Sequence, residues 1–337
     1  MRVKAWGTRG SIAVSNPDSV HFGGNTTCYE IISECLPPNT KFVVDAGTGF
    51  VPCGLHYLDE VKNGLKYIVA FSHWHWDHIL GLTLSPPTFI EQVEMSLFGP
   101  RDEGVGPQEM LKHLFKRPFF PVDAKKIGHK TACKTLDDFD VHVMVVHPVG
   151  GVATFAVDRF RTLIEADKQL PFGKSNFGVE ECLVIRMTPA HHGDAMTISY
   201  RFEERPTGKV LAILTDNEDE VGAPPDLRAH LIGADLAIMD AQYTLKRLLL
   251  MTGRYGHGSP TGVVKLALIC GLGRIKLTHH DPQSTDAQLK KVMLAEANAA
   301  LERYGKDEEF LELFGIDEIR LTPEGIGLCR DYEEYDV

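Results

Sequence analysis

The sequence predicts an α/β fold, an αβ/βα arrangement of sheets and helices within one domain, and three observations carry that prediction. The first ninety residues break into short β-type runs separated by Gly-rich turns. Strand-like runs resume after Leu183 and then alternate with helical ones. A long amphipathic stripe near the C-terminus has helical rather than strand spacing.

Met1 to Trp6, Thr27 to Ser33, Lys41 to Asp45 and Tyr67 to Phe71 are the first four expected strands, and Met95 to Phe98 is the next. From Pro107 to Phe115, Met110, Leu111 and Leu114 recur at helical spacing, and Pro118 and Pro121 end the segment. Residues 150–178 are irregular and mixed in charge, which suits an insertion or lid. Leu183 to Met187, Thr197 to Phe202, Lys209 to Leu214 and Leu236 to Met239 read as strands, Val263 to Ile269 as a buried helix, and Ile275 to Thr278 as another strand. Thr285-Asp286-Ala287-Gln288 resembles a capping box, after which Leu289, Val292, Met293, Ala297 and Ala300 mark a helix of about five turns. No internal repeat and no Gly/Ser/Pro linker divides the chain, so one domain spanning 1–337 is expected.

Composition narrows the function. The 337 residues are 43% hydrophobic and 24% charged, ordinary values for a folded protein, with disorder expected only in the acidic tail Asp331 to Asp336. A net charge of -11 argues against reliance on nonspecific attraction to a nucleic-acid backbone, so long nucleic acid is not an expected partner. The N-terminus has no signal-peptide stretch, and no run approaches the roughly 20 apolar residues that cross a membrane, so a cytoplasmic location is expected. Seven scattered cysteines without a Cys-x-x-Cys pair read as reduced thiols.

The chemistry concentrates in Ser72-His73-Trp74-His75-Trp76-Asp77-His78. His73 and His75 follow a strand, and residues two apart in an extended segment project to one side, so both imidazoles can meet one metal. Asp77 and His78 come where the chain must turn, free to face a second ion. Nitrogen and carboxylate donors of this kind suit zinc, with manganese or iron as alternatives. Upstream, Phe42 to Gly49 is an apolar strand ending in an acid and small residues.

With these two segments the sequence resembles the metallo-β-lactamase superfamily, whose fold is a four-layer αβ/βα sandwich with such loops at one edge. Trp6-Gly7-Thr8-Arg9-Gly10-Ser11, Gly23-Gly24-Asn25-Thr26-Thr27-Cys28, Asp240-Ala241-Gln242-Tyr243-Thr244 and His279-His280-Asp281-Pro282 narrow the resemblance. They look like a branch similar to transfer-RNA 3′-end endonucleases, cyclic-phosphate phosphodiesterases and cyclic-nucleotide phosphodiesterases. The matches span nearly the whole chain apart from residues 150–178.

The resemblance implies two divalent metal ions. His73, His75 and a histidine of Pro189-Ala190-His191-His192 would hold the first; Asp77, His78 and a histidine of His279-His280 the second; Asp216 would bridge both. His192 is the choice in the first pair, by its spacing from Pro189 and Tyr200-Arg201, with His191 as the alternative. His279 is the choice in the second, because it directly follows Leu277-Thr278, with His280 as the alternative. His147-Pro148 resembles a metal motif of the relatives but lacks a following Tyr-Arg, so no ligand role is expected.

Ligating imidazoles need an acceptor on the other ring nitrogen, a role assigned to Asp45; Asp240 is either a second such acceptor or a structural acid at a strand end. His257, among glycines in Tyr255-Gly256-His257-Gly258-Ser259, matches a histidine that faces the substrate phosphate in the phosphodiesterase-like relatives. It is expected to be catalytic as the general acid, with Asp77 beside it. The segment Phe115 to Val122 reads either as an aromatic and basic edge of the cleft or as a hydrophobic anchor.

Two ions about 3.5–4 Å apart lower the pKa of a bridging water, generating hydroxide near neutral pH. The expected function is therefore a phosphodiesterase acting with such a metal-bridged hydroxide on a small cyclic nucleotide or cyclic phosphate. A non-catalytic metal-binding sensor, or a hydrolase of another ester or amide class, is the alternative. Resemblance to related phosphodiesterases also suggests a homodimer.

Overall fold

The computed structural model describes residues 1–218 and 223–337. Alternating burial along the strands builds its layers. In β3 (Thr40–Val44) Phe42 and Val44 point into one core and Val43 into another; in β4 (Lys66–Ala70) Ile68 and Ala70 oppose Tyr67 and Val69 in the same way. Both faces of these strands must therefore be covered. The same split separates Leu211 and Ile213 from Ala212 and Leu214 in β13 (Lys209–Leu214).

The first sheet contains β1 (Arg2–Gly7), β2 (Cys28–Ile32), β3, β4, β5 (Glu94–Pro100) and β6 (Thr131–Leu136), with the C-terminal β17 (Glu334–Asp336) on its far edge. Its strands from β3 to β6 run parallel. The second sheet contains β7 (His142–His147), β8 (Gly151–Ala156), β11 (Leu183–His192), β12 (Ala195–Glu204), β13, β14 (Leu236–Asp240), β15 (Ile275–Thr278) and β16 (Ile326–Leu328). Its order is β16-β15-β14-β13-β12-β11-β7-β8, parallel from β13 to β16.

A core that includes Phe42, Phe202, Tyr200 and Ile238 lies between the two sheets. Helices Phe50–His56 and Pro107–Leu114 cover the outer face of the first sheet, and Pro225–Leu231, Pro260–Ile269 and Leu294–Tyr304 that of the second. The architecture is the expected four-layer αβ/βα sandwich. Each fully buried Phe or Leu in these cores contributes about 1.5–3 kcal/mol relative to exposure.

The capping box forms with both of its hydrogen bonds at Thr285 and Gln288, and the helix runs through Asp286–Gln288, Leu289–Met293 and Leu294–Tyr304. Two expectations need correction. The acidic tail is ordered: Glu334 to Asp336 pair with Lys4 to Arg2, and Tyr335 and Val337 are buried, because an open edge of β1 offers the tail its hydrogen bonds. Residues 150–178 are regular: β8, helix Val157–Ala166 and the hairpin of β9 (Gln169–Phe172) with β10 (Ser175–Gly178). This segment packs Phe155, Phe160, Leu170 and Phe172 against β7 and β11, so its apolar residues follow packing on a sheet edge rather than a clean period.

Candidate metal centre

The parallel strands end at a common edge, and the chemically active residues follow those ends. Asp45 comes after β3, Ser72 and His73 after β4, Asp216 after β13, Asp240 closes β14 and His279 follows β15. Asp45, Asp216 and His279 have φ of 60°, 49° and 58°, in the left-handed region that non-glycine residues avoid. Ser11, beside them, has φ 62°. Such conformations cost on the order of 1–3 kcal/mol each and persist where the surroundings impose them, as at a shared strand-end cleft.

Two groups of side chains converge there. His73, His75, His192 and Asp216 form one; Asp77, His78, Asp216 and His279 form the other, with the nearest donor atoms of each group all within 4.8 Å of one another. Asp216 belongs to both. Its Oδ2 lies 3.7 Å from Nε2 of His73 and 3.6 Å from Nε2 of His192, while its Oδ1 lies 3.2 Å from Nε2 of His78 and 3.3 Å from Nε2 of His279. Asp77 Oδ2 is 3.1 Å from His279 and 3.3 Å from His78. Every residue is buried except His75, which stands exposed at the mouth.

The surrounding hydrogen bonds fix which ring nitrogens face inward. Ser72 Oγ donates to Asp45 Oδ2 at 2.8 Å, so its contact with Nδ1 of His73, at 3.0 Å, requires that nitrogen to be the donor. Asp45 Oδ2 also accepts from Nδ1 of His78 at 2.8 Å, and Asp45 Oδ1 accepts from the Ser72 amide at 2.7 Å. The Gly256 carbonyl accepts from Nδ1 of His192. In the neutral rings, all three Nε2 lone pairs therefore point at the cluster.

Nε2 of His73, Nε2 of His78 and Oδ1 of Asp216 are buried without a hydrogen-bond partner among the described residues. Three orphaned polar atoms in one place are costly unless something satisfies them, and a divalent cation fits the nitrogen and carboxylate set.

Without a cation the charges distort one another. Burial opposes charge on His78, but Asp216, Asp77 and Asp45 outweigh it and raise its pKa well above the usual histidine value. Burial likewise opposes charge on His279, while Asp216 and Asp77 push it up to about 9. Burial disfavours ionised Asp77 and Asp216, yet the neighbouring histidines hold both well below the usual carboxylate range. Burial, reinforced by His78, depresses His73.

Within each doubled pair the structure brings one histidine into the cluster. His192 lies in it, whereas its neighbour His191 lines a small cavity with Asn217 and Pro224. His279 lies in it, whereas His280 turns away to the Cys329 carbonyl at 2.8 Å. His147 is elsewhere, its Nδ1 accepting two backbone amides and its Nε2 3.1 Å from Glu181.

His257 sits between the two groups: its ring centroid is 4.8 Å from that of His192 and 4.8 Å from that of His279. Nδ1 of His257 meets Asp240 Oδ2 at 2.8 Å, and Asp240 is held in turn by the amides of Asn217 and Gln242. Asp240 therefore hydrogen-bonds His257, and with His257 and His279 it makes a third group of donors within 4.8 Å of one another.

Sequence reasoning missed four supporting residues. Ser72 relays Asp45 to His73. The Ser11 amide donates to Asp77 Oδ2 at 2.7 Å, and Gln242 holds the Ser11 hydroxyl at 2.8 Å. Gly10 packs so tightly on His279 that a Cβ there would lie 2.3 Å from its Nδ1. The Trp-Gly-Thr-Arg-Gly-Ser motif carried the signal, but only the fold shows that its turn lies on Asp77 and His279.

No sequence-family model and no curated protein matches the chain by sequence. Solved structures do match by shape. Unliganded yeast PDE1 aligns with a TM-score of 0.60 at 12% identity over 100% of this chain and 99% of that one. The metallo-β-lactamase fold protein YhfI from Bacillus subtilis aligns at 0.57 and 14% identity over 99% of both chains. A diphosphatase of the PhnP family aligns at 0.55 and 15% identity, over 100% of this chain and 97% of the other. At these identities the likeness is one of architecture, and by that architecture the chain has the metallo-β-lactamase fold.

Proposed function

We propose that the protein is a metal-dependent hydrolase of phosphodiesters, acting on a small substrate such as a cyclic nucleotide or cyclic phosphate. One observation carries the metal half of the proposal: the carboxylate of Asp216 divides its two oxygens between two sets of histidines. His73, His75, His192 and Asp216 would hold one divalent ion, and Asp77, His78, His279 and Asp216 a second. Zinc fits the imidazole-rich set, and manganese and iron accept the same donors. Such ions, when bound, supply a water of lowered pKa and Lewis acidity toward a phosphoryl group.

The chain's own residues do the rest. Asp45 and Ser72 hold the rings of His73 and His78 in the tautomer that leaves Nε2 free. Asp240 occupies Nδ1 of His257, so Nε2 is the nitrogen left to carry a transferable proton, beside one histidine of each set. Protonation of a leaving alkoxide by His257 typically contributes 10²–10⁴-fold, about 3–5 kcal/mol of barrier. The phosphate half of the proposal rests on that histidine and on the resemblance of the N-terminal and His257 motifs to those of phosphodiesterase-like sequences; the diphosphatase among the structural matches agrees with it.

The test is a screen of cyclic nucleotides, cyclic phosphates, bis(p-nitrophenyl) phosphate and generic esters, with metal content measured in parallel. The expected result is phosphodiester cleavage that His257→Ala reduces at least 100-fold while metal content stays unchanged. Two bound ions without turnover of any substrate would overturn the hydrolase reading; unchanged cleavage by His257→Ala would overturn the general-acid role.

A further inference from the structure

In a chain of net charge -11, residues 107–134 carry seven Lys and Arg against two acids. The segment folds around a groove of about 920 Å³ on the outer face of the first sheet, between helix Pro107–Leu114 and the turn leading to β6. Its volume is that of a site for a drug-sized ligand.

Two of the segment's cations are engaged outside the groove: Lys130 donates to the carbonyls of Pro87 and Ile90, and Lys134 to Thr154. Lys112 pairs with Glu109 at 3.5 Å on the rim. Lys116, Arg117 and Lys125 also line it and make no side-chain hydrogen bond or ion pair among the described residues. Asp123, the other acid of the lining, caps the Lys125 amide at 2.9 Å. The inner wall is apolar, built from Leu111, Phe115 and the half-buried Cys133. Phe115 and Phe120 pack on each other and on Phe89, so the aromatics of this stretch anchor the loop. The loop's cations face this groove.

The groove is separate from the metal centre. It opens beside Thr131 and Cys133, which pair with Met95 and Leu97 at the start of β5, whereas the metal cluster follows the ends of parallel strands, with His73 after β4. No residue of either ligand group lines it.

We infer that this groove is a second binding site, one that takes a small organic anion of nucleotide size, its phosphate held by Lys116, Arg117 and Lys125 and its ring against the apolar wall. Three cations unpaired among the described residues around one cavity leave a local positive potential in an acidic protein, and a phosphate monoester supplies the matching charge. The inference stands apart from the proposed hydrolysis, and either can fail alone.

Cys133 gives a local readout, because the other six cysteines are buried. The metal-loaded protein is treated with a thiol reagent, and labelling of Cys133 is followed by peptide mapping with AMP, adenosine or inorganic phosphate present. AMP is expected to slow labelling at least fivefold, adenosine to have no effect, and phosphate to act only at tenfold or higher concentration. The double variant Lys116→Glu/Arg117→Glu is expected to lose the protection, while Lys290→Glu/Lys291→Glu, an equal charge change on exposed helix positions elsewhere, retains it. Labelling indifferent to AMP, or protection that survives in Lys116→Glu/Arg117→Glu, overturns the site. Protection by adenosine equal to that by AMP overturns recognition of the phosphate, and phosphate as effective as AMP overturns recognition of the ring.

Discussion

Replacing Asp45 by Asn tests what orients the rings of His73 and His78. Asn tolerates the left-handed backbone of this position, where φ is 60°, and fills the same volume. Its carbonyl can keep the bond from the Ser72 amide, but its NH2 group then faces the Ser72 hydroxyl and Nδ1 of His78, both of which donate to Asp45 Oδ2 at 2.8 Å in the wild type. Donors cannot meet donors, so His78 is driven to the tautomer with hydrogen on Nε2. That hydrogen stands where a cation would have to bind, on a nitrogen 3.2 Å from Asp216 Oδ1 and 3.3 Å from Asp77 Oδ2. Loss of a carboxylate behind a ligating histidine typically costs 10–100-fold in metal affinity, about 1.4–2.7 kcal/mol. The expected outcome is that metal affinity falls by that factor in a chelator-competition titration, while the metal-free protein keeps its secondary structure with a lowered thermal midpoint, because the charged His78 loses its buried carboxylate partner. The alternative amide orientation sets Asn NH2 against the Ser72 amide and would lower that midpoint further. Two equivalents bound with wild-type affinity would refute the tautomer reasoning.

Gly10→Ala places a methyl 2.3 Å from Nδ1 of His279, and the ring must move; a tenfold or greater loss of metal affinity with retained secondary structure, read by titration and circular dichroism, is expected. Metal uptake should expel protons: in the metal-free protein His279 stays charged up to about 9, and coordination needs the neutral ring, so affinity rises with pH from 7 toward 9. Calorimetry in buffers of different ionisation enthalpy measures that release, and a proton-neutral titration would contradict it. His230 is buried against Ser199, and burial, with Arg201 and Arg186 adding to it, holds its pKa near 3. Its folded value is depressed below the unfolded one, so stability is full above about 6.5 and declines as pH falls toward 3; at pH 5 the loss is about 2 kcal/mol. His230→Gln should flatten denaturation midpoints between pH 7 and 5 by that amount. Tyr335→Ala, which empties a buried position on the tail strand, should cost about 3 kcal/mol in urea unfolding; no change would mean that the tail does not contribute to the fold.

What was legible in the sequence was whatever depends on local periodicity and local donor chemistry. Strands such as Lys209–Leu214 and Ile275–Thr278 and the capped helix after Thr285 reveal themselves because side chains alternate or recur with the backbone's own period. The string from Ser72 to His78 reveals itself because four donors at that spacing have few other uses. Less legible were the strand of the acidic tail, whose pairing partner lies at the other end of the chain, and the elements within residues 150–178, which pair with their neighbours in sequence but bury their apolar residues on a sheet edge without a clean period. Identical His-His pairs at 191–192 and 279–280 cannot be ranked by local chemistry. The fold decides by pointing one ring of each pair into the cleft and turning His280 to a backbone carbonyl. Nor could the sequence reveal that Asp45, Asp216 and His279 sit in left-handed turns at adjoining strand ends, or that Gly10 and Ser11 close over Asp77 and His279 from the opposite end of the chain. A metal centre is a property of distances between segments far apart in sequence, and only parallel strands ending at one edge bring those segments within a few ångströms.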